Sequence, residues 1–261
     1  MGLKTFLNSV LQSTHYRLVN RDDYERIFAA KDAGVSAAGS LGRSMVDDLL
    51  RLYPADRPLT LFDVGANKGG TYRLFRSMYP KAHIHCFEPD PRVLEKLRTQ
   101  AADDALTQCH PLAVSDTNGK LEFHLTEAAE CNSLLVPAAR DILNQAEHVI
   151  STIPVTSVTL DTFAAQHGID RIDLLKMDIQ GAEVRALDGA TGLLKDFRIG
   201  ALYLELVFGA SYRDQALASD IIDYLQRRRY RVSAFYNLVY GPDSGVLGYC
   251  DGLFVANSPA K

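Results

Sequence analysis

Apolar positions along the chain follow two alternating spacings. Short apolar runs such as 59–64 and 82–87 predict buried strands, and the segments behind them repeat apolar residues every three or four positions, as amphipathic helices do. Further strands are predicted at 107–114, 172–179, 199–208, 230–236 and 253–256. Strands that alternate with helices predict an α/β fold with a doubly wound, mainly parallel, Rossmann-like sheet and helices on both faces.

Two regions depart from this alternation. Residues 121–125 have a period of two and, together with 153–158, predict an inserted β-hairpin. Residues 1–55 predict an N-terminal helical leader, with an amphipathic segment at 3–11 and a helix at 44–53 that Pro54 ends. We therefore expect a leader or cap at 1–55 and a main domain at 56–261.

Composition narrows the class of protein. The chain has 261 residues, 47% of them hydrophobic, which excludes general disorder and permits a core without disulfides. Its net charge of −4 argues against a nucleic-acid partner. No apolar run is long enough for a membrane span, and the first ten residues do not read as a secretory signal. The four cysteines form no C-x-x-C pair, so we expect reduced thiols and a cytoplasmic location.

Four acids end four different predicted strands. They are Asp63, Glu88, Asp178 and Glu205. In open α/β sheets, ligands bind beyond the carboxyl ends of the strands, so we expect these side chains to meet at one site. A carboxylate in the place of Glu88, at the end of the second strand, can accept hydrogen bonds from both hydroxyls of a ribose.

The turn after the first strand has the sequence Gly65-Ala-Asn-Lys-Gly69-Gly70 and precedes a helix. It does not match the G-x-G-x-x-G pattern that binds a pyrophosphate. None of the 12 tyrosines has a lysine four residues later, which further argues against a nicotinamide-dependent oxidoreductase. The acid before the turn suits a cationic or amine-bearing ligand better than a pyrophosphate.

Five segments in order resemble the successive motifs of the FkbM family, which are S-adenosylmethionine-dependent methyltransferases with the class I, seven-stranded fold. The segments are Phe62–Gly69, Cys86–Pro91, Ala113–Asp116, Val158–Asp161 and Asp173–Glu183. The family's usual D-x-E-G pattern reads Asp178-Ile-Gln180-Gly181 in this chain, which removes one charge.

The resemblance implies a role for each part of the site. The turn would hold the amino-acid end of S-adenosylmethionine, Glu88 would bind its ribose, the segment from 113 to 115 would border its adenine, and Asp178 would lie beside the methyl-transfer centre. The implied cofactor-binding residues are Asp63, Gly65, Ala66, Asn67, Gly69, Glu88, Pro89, Ala113, Val114, Ser115 and Asp178.

The expected reaction is methyl transfer to a hydroxyl, which must lose its proton. Asp178 is the first candidate for the base or for a group that orients the acceptor, and Glu205 is the second. Lys176 lies two residues before Asp178 on the same strand face and could pair with it or steer an anionic group. Asp178 and Glu205 could instead hold a divalent cation that acidifies the hydroxyl, so the need for a metal stays open.

These residues predict an O-methyltransferase that acts on a small molecule or glycan of the sugar or polyketide type. The alternative is a non-catalytic module that binds S-adenosylmethionine or a partner protein. A nucleic-acid methyltransferase is disfavoured because the chain has no Pro-Pro pair. Outside the site, Asp161 is expected to cap the helix that begins at Thr162.

Overall fold

The computed structural model describes residues 44–138, 148–241 and 245–257. All of them belong to one compact unit, residues 42–261. The leader segment predicted at 3–11 lies outside the described residues. The helix predicted at 44–53 is confirmed as α1, Met45–Leu52, which Ser44 caps by accepting a hydrogen bond from the Asp47 N–H.

A seven-stranded sheet forms the centre of this unit. In spatial order its strands are β3 Thr107–His110, β2 His83–Phe87, β1 Thr60–Val64, β7 Ile172–Met177, β8 Ile199–Val207, β10 Leu247–Ala256 and β9 Tyr230–Tyr240. The first five run parallel to one another, whereas β10 is antiparallel to both of its neighbours. Every residue of β7 is buried, as expected for a central strand with both faces covered.

Helices cover both faces of this sheet, which confirms the doubly wound arrangement. After α1, the helices are α2 Gly70–Met78, α3 Pro91–Gln100, α4 Leu160–Gln166, α5 Glu183–Asp188, α6 Thr191–Lys195 and α7 Ala218–Arg227. One apolar cluster includes residues of α1, α2 and α3, and another includes residues of α4, α5, α6 and α7. In α3, Pro91 occupies the first turn and Asp90 is the N-cap, both favoured helix starts.

The inserted hairpin is also confirmed. Strands β5, Gly119–Thr126, and β6, Val149–Val158, are antiparallel with Leu121 opposite Val155. They form a second, three-stranded sheet with β4, Ala113–Val114, which lies parallel to β6. A short 3₁₀ helix follows β5 at Ala129–Cys131.

The single strand expected at 107–114 was wrong, because the chain leaves the large sheet after His110 and joins the small sheet at Ala113. Pro111 stands between the two strands. Proline has no N–H to donate to a sheet ladder, which accounts for the break at this point.

The helix expected after Gly181 is two helices, α5 and α6, with Gly189 at the C-cap of α5. A Cβ atom on Gly189 would lie 2.1 Å from the Ser115 carbonyl oxygen, so this junction passes too close to the backbone for any side chain. The expected role of Asp161 was also wrong. Thr159 caps α4, and the Asp161 carboxylate instead accepts hydrogen bonds from the N–H groups of Gly192 and Leu193 at the start of α6.

The turn between β1 and α2 approaches the end of β7 closely. Gly65 has a φ of +74°, and a Cβ atom there would lie 1.9 Å from the Asp178 carbonyl oxygen. Gly70, five residues on, begins α2 and has no atom within 4 Å of its Cβ position. These two glycines therefore differ sharply in their tolerance of a side chain.

We expect Gly65→Ala to lower the free energy of unfolding by about 1–3 kcal/mol or more, because it combines a left-handed φ with a backbone clash. Gly70→Ala is the matched control and should change stability by less than about 1 kcal/mol, in the stabilising direction. Urea denaturation followed by circular dichroism measures both, and equal effects would contradict this reading of the turn.

Candidate active site

A cavity of about 310 Å³ lies at the carboxyl ends of β1, β2 and β7, within the size range of small-ligand sites. The small sheet and the segment after β5 form its other wall. The sequence-predicted residues that line it are Gly65, Ala66, Asn67, Glu88, Pro89, Ala113, Val114, Lys176 and Asp178. Four other predicted residues, Asp63, Gly69, Ser115 and Glu205, are not among its lining residues.

Backbone hydrogen bonds join the turn after β1 to the end of β2. The N–H groups of Gly65 and Ala66 both donate to the Phe87 carbonyl oxygen at 3.0 Å. The next N–H, that of Asn67, donates to Glu88 Oε2 at 2.8 Å. Asn67 has a left-handed φ of 46°, which turns the chain towards α2. The turn is thus held in a single shape against its neighbour strand.

Glu88 is the best-anchored carboxylate of the cavity wall. Its Oε1 accepts a hydrogen bond from the Asp90 N–H at 2.8 Å, while Oε2 accepts the bond from Asn67. Burial raises the pKa of Glu88 to about 7, although these two N–H groups favour the ionised form. Each carboxylate oxygen has a second lone pair, so the group can accept two further hydrogen bonds from a ligand in the cavity.

Asp63 lies beneath the cavity. Its Oδ1 is 3.1 Å from Lys176 Nζ, and the side chains are 0% and 7% exposed. The two residues are opposite each other on β1 and β7, and the ammonium also donates to the Gly65 carbonyl oxygen at 2.8 Å. The predicted pairing of Lys176 with Asp178 is therefore replaced by a pair with Asp63, because the strand register brings Asp63 opposite it.

Burial disfavours the charged form of Lys176, but the carboxylates of Asp63 and Asp178 outweigh burial and raise its pKa. The direct contacts of the ammonium are with Asp63 on β1 and with the Gly65 carbonyl oxygen just after it. It contributes to the cavity as a fixed positive charge at the junction of β1 and β7.

Asp178 lines the cavity at the end of β7, and Glu205 lies beside it on β8. The side chain of Gln180 joins them: its Nε2 donates to Asp178 Oδ1 at 2.9 Å and to Glu205 Oε2 at 3.0 Å. Burial, together with the charge of Asp178, raises the pKa of Glu205 well above its ordinary value.

β4 and the following Ser115 make up the segment predicted to border an adenine. Ala113 and Val114 line the cavity. Ser115 is buried instead, where its N–H donates to the Val158 carbonyl oxygen and its hydroxyl donates to Asp116. Gly69, also outside the lining, is the left-handed N-cap of α2.

Sequence reasoning missed the residues that the inserted region contributes. Asn132 donates from Nδ2 to Asp90 Oδ2 at 2.9 Å and accepts the Thr126 N–H, which ties this wall to the start of α3. Lys68 forms an exposed ion pair of 2.6 Å with Glu130. The other missed lining residues include Thr71 and Arg73 on α2, which no motif marks, and Phe123 and Leu134, whose contacts depend on how the hairpin folds over the sheet.

Two absences concern only the described residues. Across 44–138, 148–241 and 245–257, no group of three or more His, Cys, Asp or Glu side chains is placed to hold a metal ion. Over the same ranges, no helix has both the length and the apolarity needed to cross a membrane.

Residues 63–232 match the family model described as the methyltransferase FkbM domain. The 2-O-methyltransferase NoeI of Sinorhizobium fredii is 31% identical over 172 residues, which cover 63% of this chain and 70% of that protein. The 31-O-demethyl-FK506 methyltransferase FkbM of Streptomyces tacrolimicus is 31% identical over 166 residues, or 54% of this chain and 61% of that protein. The hexuronic acid methyltransferase AglP of Haloferax volcanii is 25% identical over 174 residues, covering 64% of each chain.

The seven-stranded sheet, the cavity at its carboxyl edge and these matches define the class as an S-adenosylmethionine-dependent methyltransferase with a Rossmann-like fold. Because the family model covers more than half of the sequence, the chain belongs to the FkbM methyltransferase family. The alignments span between 61% and 70% of the three relatives just described.

We expect Lys176→Met to lower the free energy of unfolding by about 3–5 kcal/mol, because it leaves the buried Asp63 carboxylate without its partner. The double variant Asp63→Leu/Lys176→Met removes both charges and should lower the free energy of unfolding by less than Lys176→Met alone does. Lys81→Met, at an exposed position, should stay within about 0.5 kcal/mol of the wild type. Urea denaturation measures these changes. A loss of stability in the double variant equal to the sum of the losses in Asp63→Leu and Lys176→Met would argue against a coupled pair.

Proposed function

We propose that the protein transfers the methyl group of S-adenosylmethionine to a hydroxyl of a small molecule or glycan. The printed names of the relatives support this class of acceptor, since they include a 2-O-methyltransferase and a hexuronic acid methyltransferase. The observation that carries the proposal is Glu88, a buried carboxylate that faces the cavity with both oxygens already oriented by backbone N–H groups.

The residues around the cavity fit the parts of this cofactor. Glu88 has the acceptor capacity for two ribose hydroxyls. Ala113 and Val114 offer an apolar wall suited to an adenine, and the turn at 65–67 with its close backbone offers a polar site for the amino-acid end. When bound, S-adenosylmethionine supplies an already activated methyl group on a sulfonium.

The task of the protein is then to hold and orient the acceptor. Alignment of reacting atoms about 3–3.5 Å apart can lower the barrier by about 7–11 kcal/mol. Asp178, at the cavity wall, is placed to accept a hydrogen bond from the acceptor hydroxyl and to take its proton. Glu205 is the weaker candidate base, since it does not line the cavity.

We also propose a leader at 1–55 and a domain at 56–261, a cytoplasmic location and no nucleic-acid partner. A divalent cation held by Asp178 and Glu205 is the alternative to Asp178 acting alone.

Glu88→Gln should weaken S-adenosylmethionine binding at least about tenfold, because hydrogen bonds to a charged acceptor contribute about 1.5–3 kcal/mol. Isothermal titration calorimetry measures the affinity. Glu122→Gln is the matched control: it removes the same charge from an exposed position on β5 and should bind like the wild type. A wild type that gives no binding, or a Glu88→Gln variant with full affinity, would overturn the proposed function.

The affinity should also depend on pH. Because the pKa of Glu88 is about 7 and a ribose binds its ionised form, protons compete with the cofactor below that value. Affinity should therefore rise between about pH 6 and pH 8 by up to about tenfold per unit below the pKa, then level off. Glu88→Gln should flatten this profile, and an unchanged slope in the variant would assign the dependence to another group.

Asp178→Asn should lower turnover at saturating S-adenosylmethionine by about 10²–10⁴, the usual contribution of a general base. The assay is formation of S-adenosylhomocysteine with a panel of sugar and polyketide hydroxyl acceptors. Turnover by the wild type separates this proposal from the alternative, a non-catalytic module that binds the cofactor or a partner. Full turnover in Asp178→Asn would remove Asp178 from the role of base.

A further inference from the structure

Gln180 occupies an unusual backbone position directly beyond β7. Its φ is +55°, and that of the following Gly181 is +93°, so two successive residues are left-handed. This region is uncommon for a residue with a side chain and persists when surrounding contacts hold it. Here the Ser133 hydroxyl donates to the Gln180 carbonyl oxygen at 2.8 Å and fixes the backbone.

The side-chain amide uses both of its N–H bonds on carboxylates. Nε2 is 2.9 Å from Asp178 Oδ1 and 3.0 Å from Glu205 Oε2. A primary amide nitrogen carries two hydrogens, one for each acceptor. The two acids stand on neighbouring strand ends, and Gln180 is the group that joins them.

The other end of the amide is held as well. The Tyr212 hydroxyl lies 3.0 Å from Gln180 Oε1 and 2.8 Å from the Cys131 carbonyl oxygen. The hydroxyl has one hydrogen, which it can donate to Oε1 or to the Cys131 carbonyl oxygen, whereas ionised carboxylates only accept, so the amide nitrogen faces the two acids and the amide oxygen faces the hydroxyl.

Two ionised carboxylates that share one hydrogen-bond donor repel each other, and a donor or a cation between them offsets the repulsion. The Lys176 ammonium acts on them from a distance, because its direct contacts are with Asp63 and the Gly65 carbonyl oxygen and not between the two acids. The groups that bridge carboxylates in proteins are cations such as Mg²⁺ or hydrogen-bond donors. At this place in the fold the donor is a neutral amide.

We propose that Gln180 is a positioning residue whose amide takes the place of a bridging divalent cation, so that Asp178 is oriented towards the acceptor without a metal ion. The inference rests on the proposed function, since it concerns the same Asp178. It resolves the choice between a base acting alone and a pair of acids that hold a metal in favour of the first.

The test compares divalent-cation binding by the whole protein and its variants, with Mn²⁺ as the probe and calorimetry as the measurement. Gln180→Glu replaces the amide with a third carboxylate of the same shape. Gln166→Glu, at an exposed position on α4, adds the same charge elsewhere and is the matched control. Asp178→Asn/Gln180→Glu removes one of the three acids again.

The proposal expects Gln180→Glu to bind Mn²⁺ at least about tenfold more tightly than the wild type or Gln166→Glu. It expects the double variant to lose this gain. A residue that only supports the fold would not move Mn²⁺ affinity in this pattern. S-adenosylmethionine binding, measured in parallel, shows that each variant keeps the cofactor site.

Two results would overturn the proposal. One is Mn²⁺ binding by the wild type that Asp178→Asn abolishes, since the site would then use a cation despite the amide. The other is a Gln180→Glu variant that binds the cofactor but gains no affinity for Mn²⁺. Either result leaves the proposed function intact, whereas a wild type that fails to bind S-adenosylmethionine overturns the proposed function itself.

Discussion

The buried ion pair between Asp63 and Lys176 is the constraint on which the site depends. Two charges with almost no exposure persist only as partners, so the pair binds the end of β1 to the end of β7. The ammonium reaches further, to the Gly65 carbonyl oxygen, and so fixes the first residue of the turn. The turn that lines the cavity is therefore held from the side of β7 as well as from the side of β2.

A second series of hydrogen bonds runs from the turn across the cavity floor to the far wall. The turn donates to Glu88, Glu88 accepts from the Asp90 N–H, and the Asp90 carboxylate accepts from the Asn132 amide. Each polar group in this chain has a partner, which preorganises the carboxylate before any ligand arrives. The ends of β1 and β2, the cap of α3 and the segment after β5 thus form one hydrogen-bonded unit.

The large sheet, the hairpin and the acids at strand ends could be read from apolar spacing, because strand ends in a parallel sheet meet at one edge. The partner of Lys176 could not, since side-chain pairing depends on the register between β1 and β7. The hydrogen bonds of Gln180 to Asp178 and Glu205 could not be predicted for a related reason. Its left-handed backbone turns the side chain towards β8, and the spacing of residues in the sequence does not indicate such a turn. Asn132 and Glu130 reach the cavity only through the folding of the inserted region.

The interruption at Pro111 has a wider consequence for this architecture. By releasing the chain from the central sheet after β3, it lets β4, β5 and β6 assemble as a separate small sheet that faces the cavity from one side. The floor at the ends of β1, β2 and β7 and the opposing wall therefore belong to two different sheets, which the hydrogen bond from Asn132 to Asp90 joins. Changes of length or side chain in β5 and in the segment after it can therefore reshape that side of the cavity while the strand order of the large sheet stays the same.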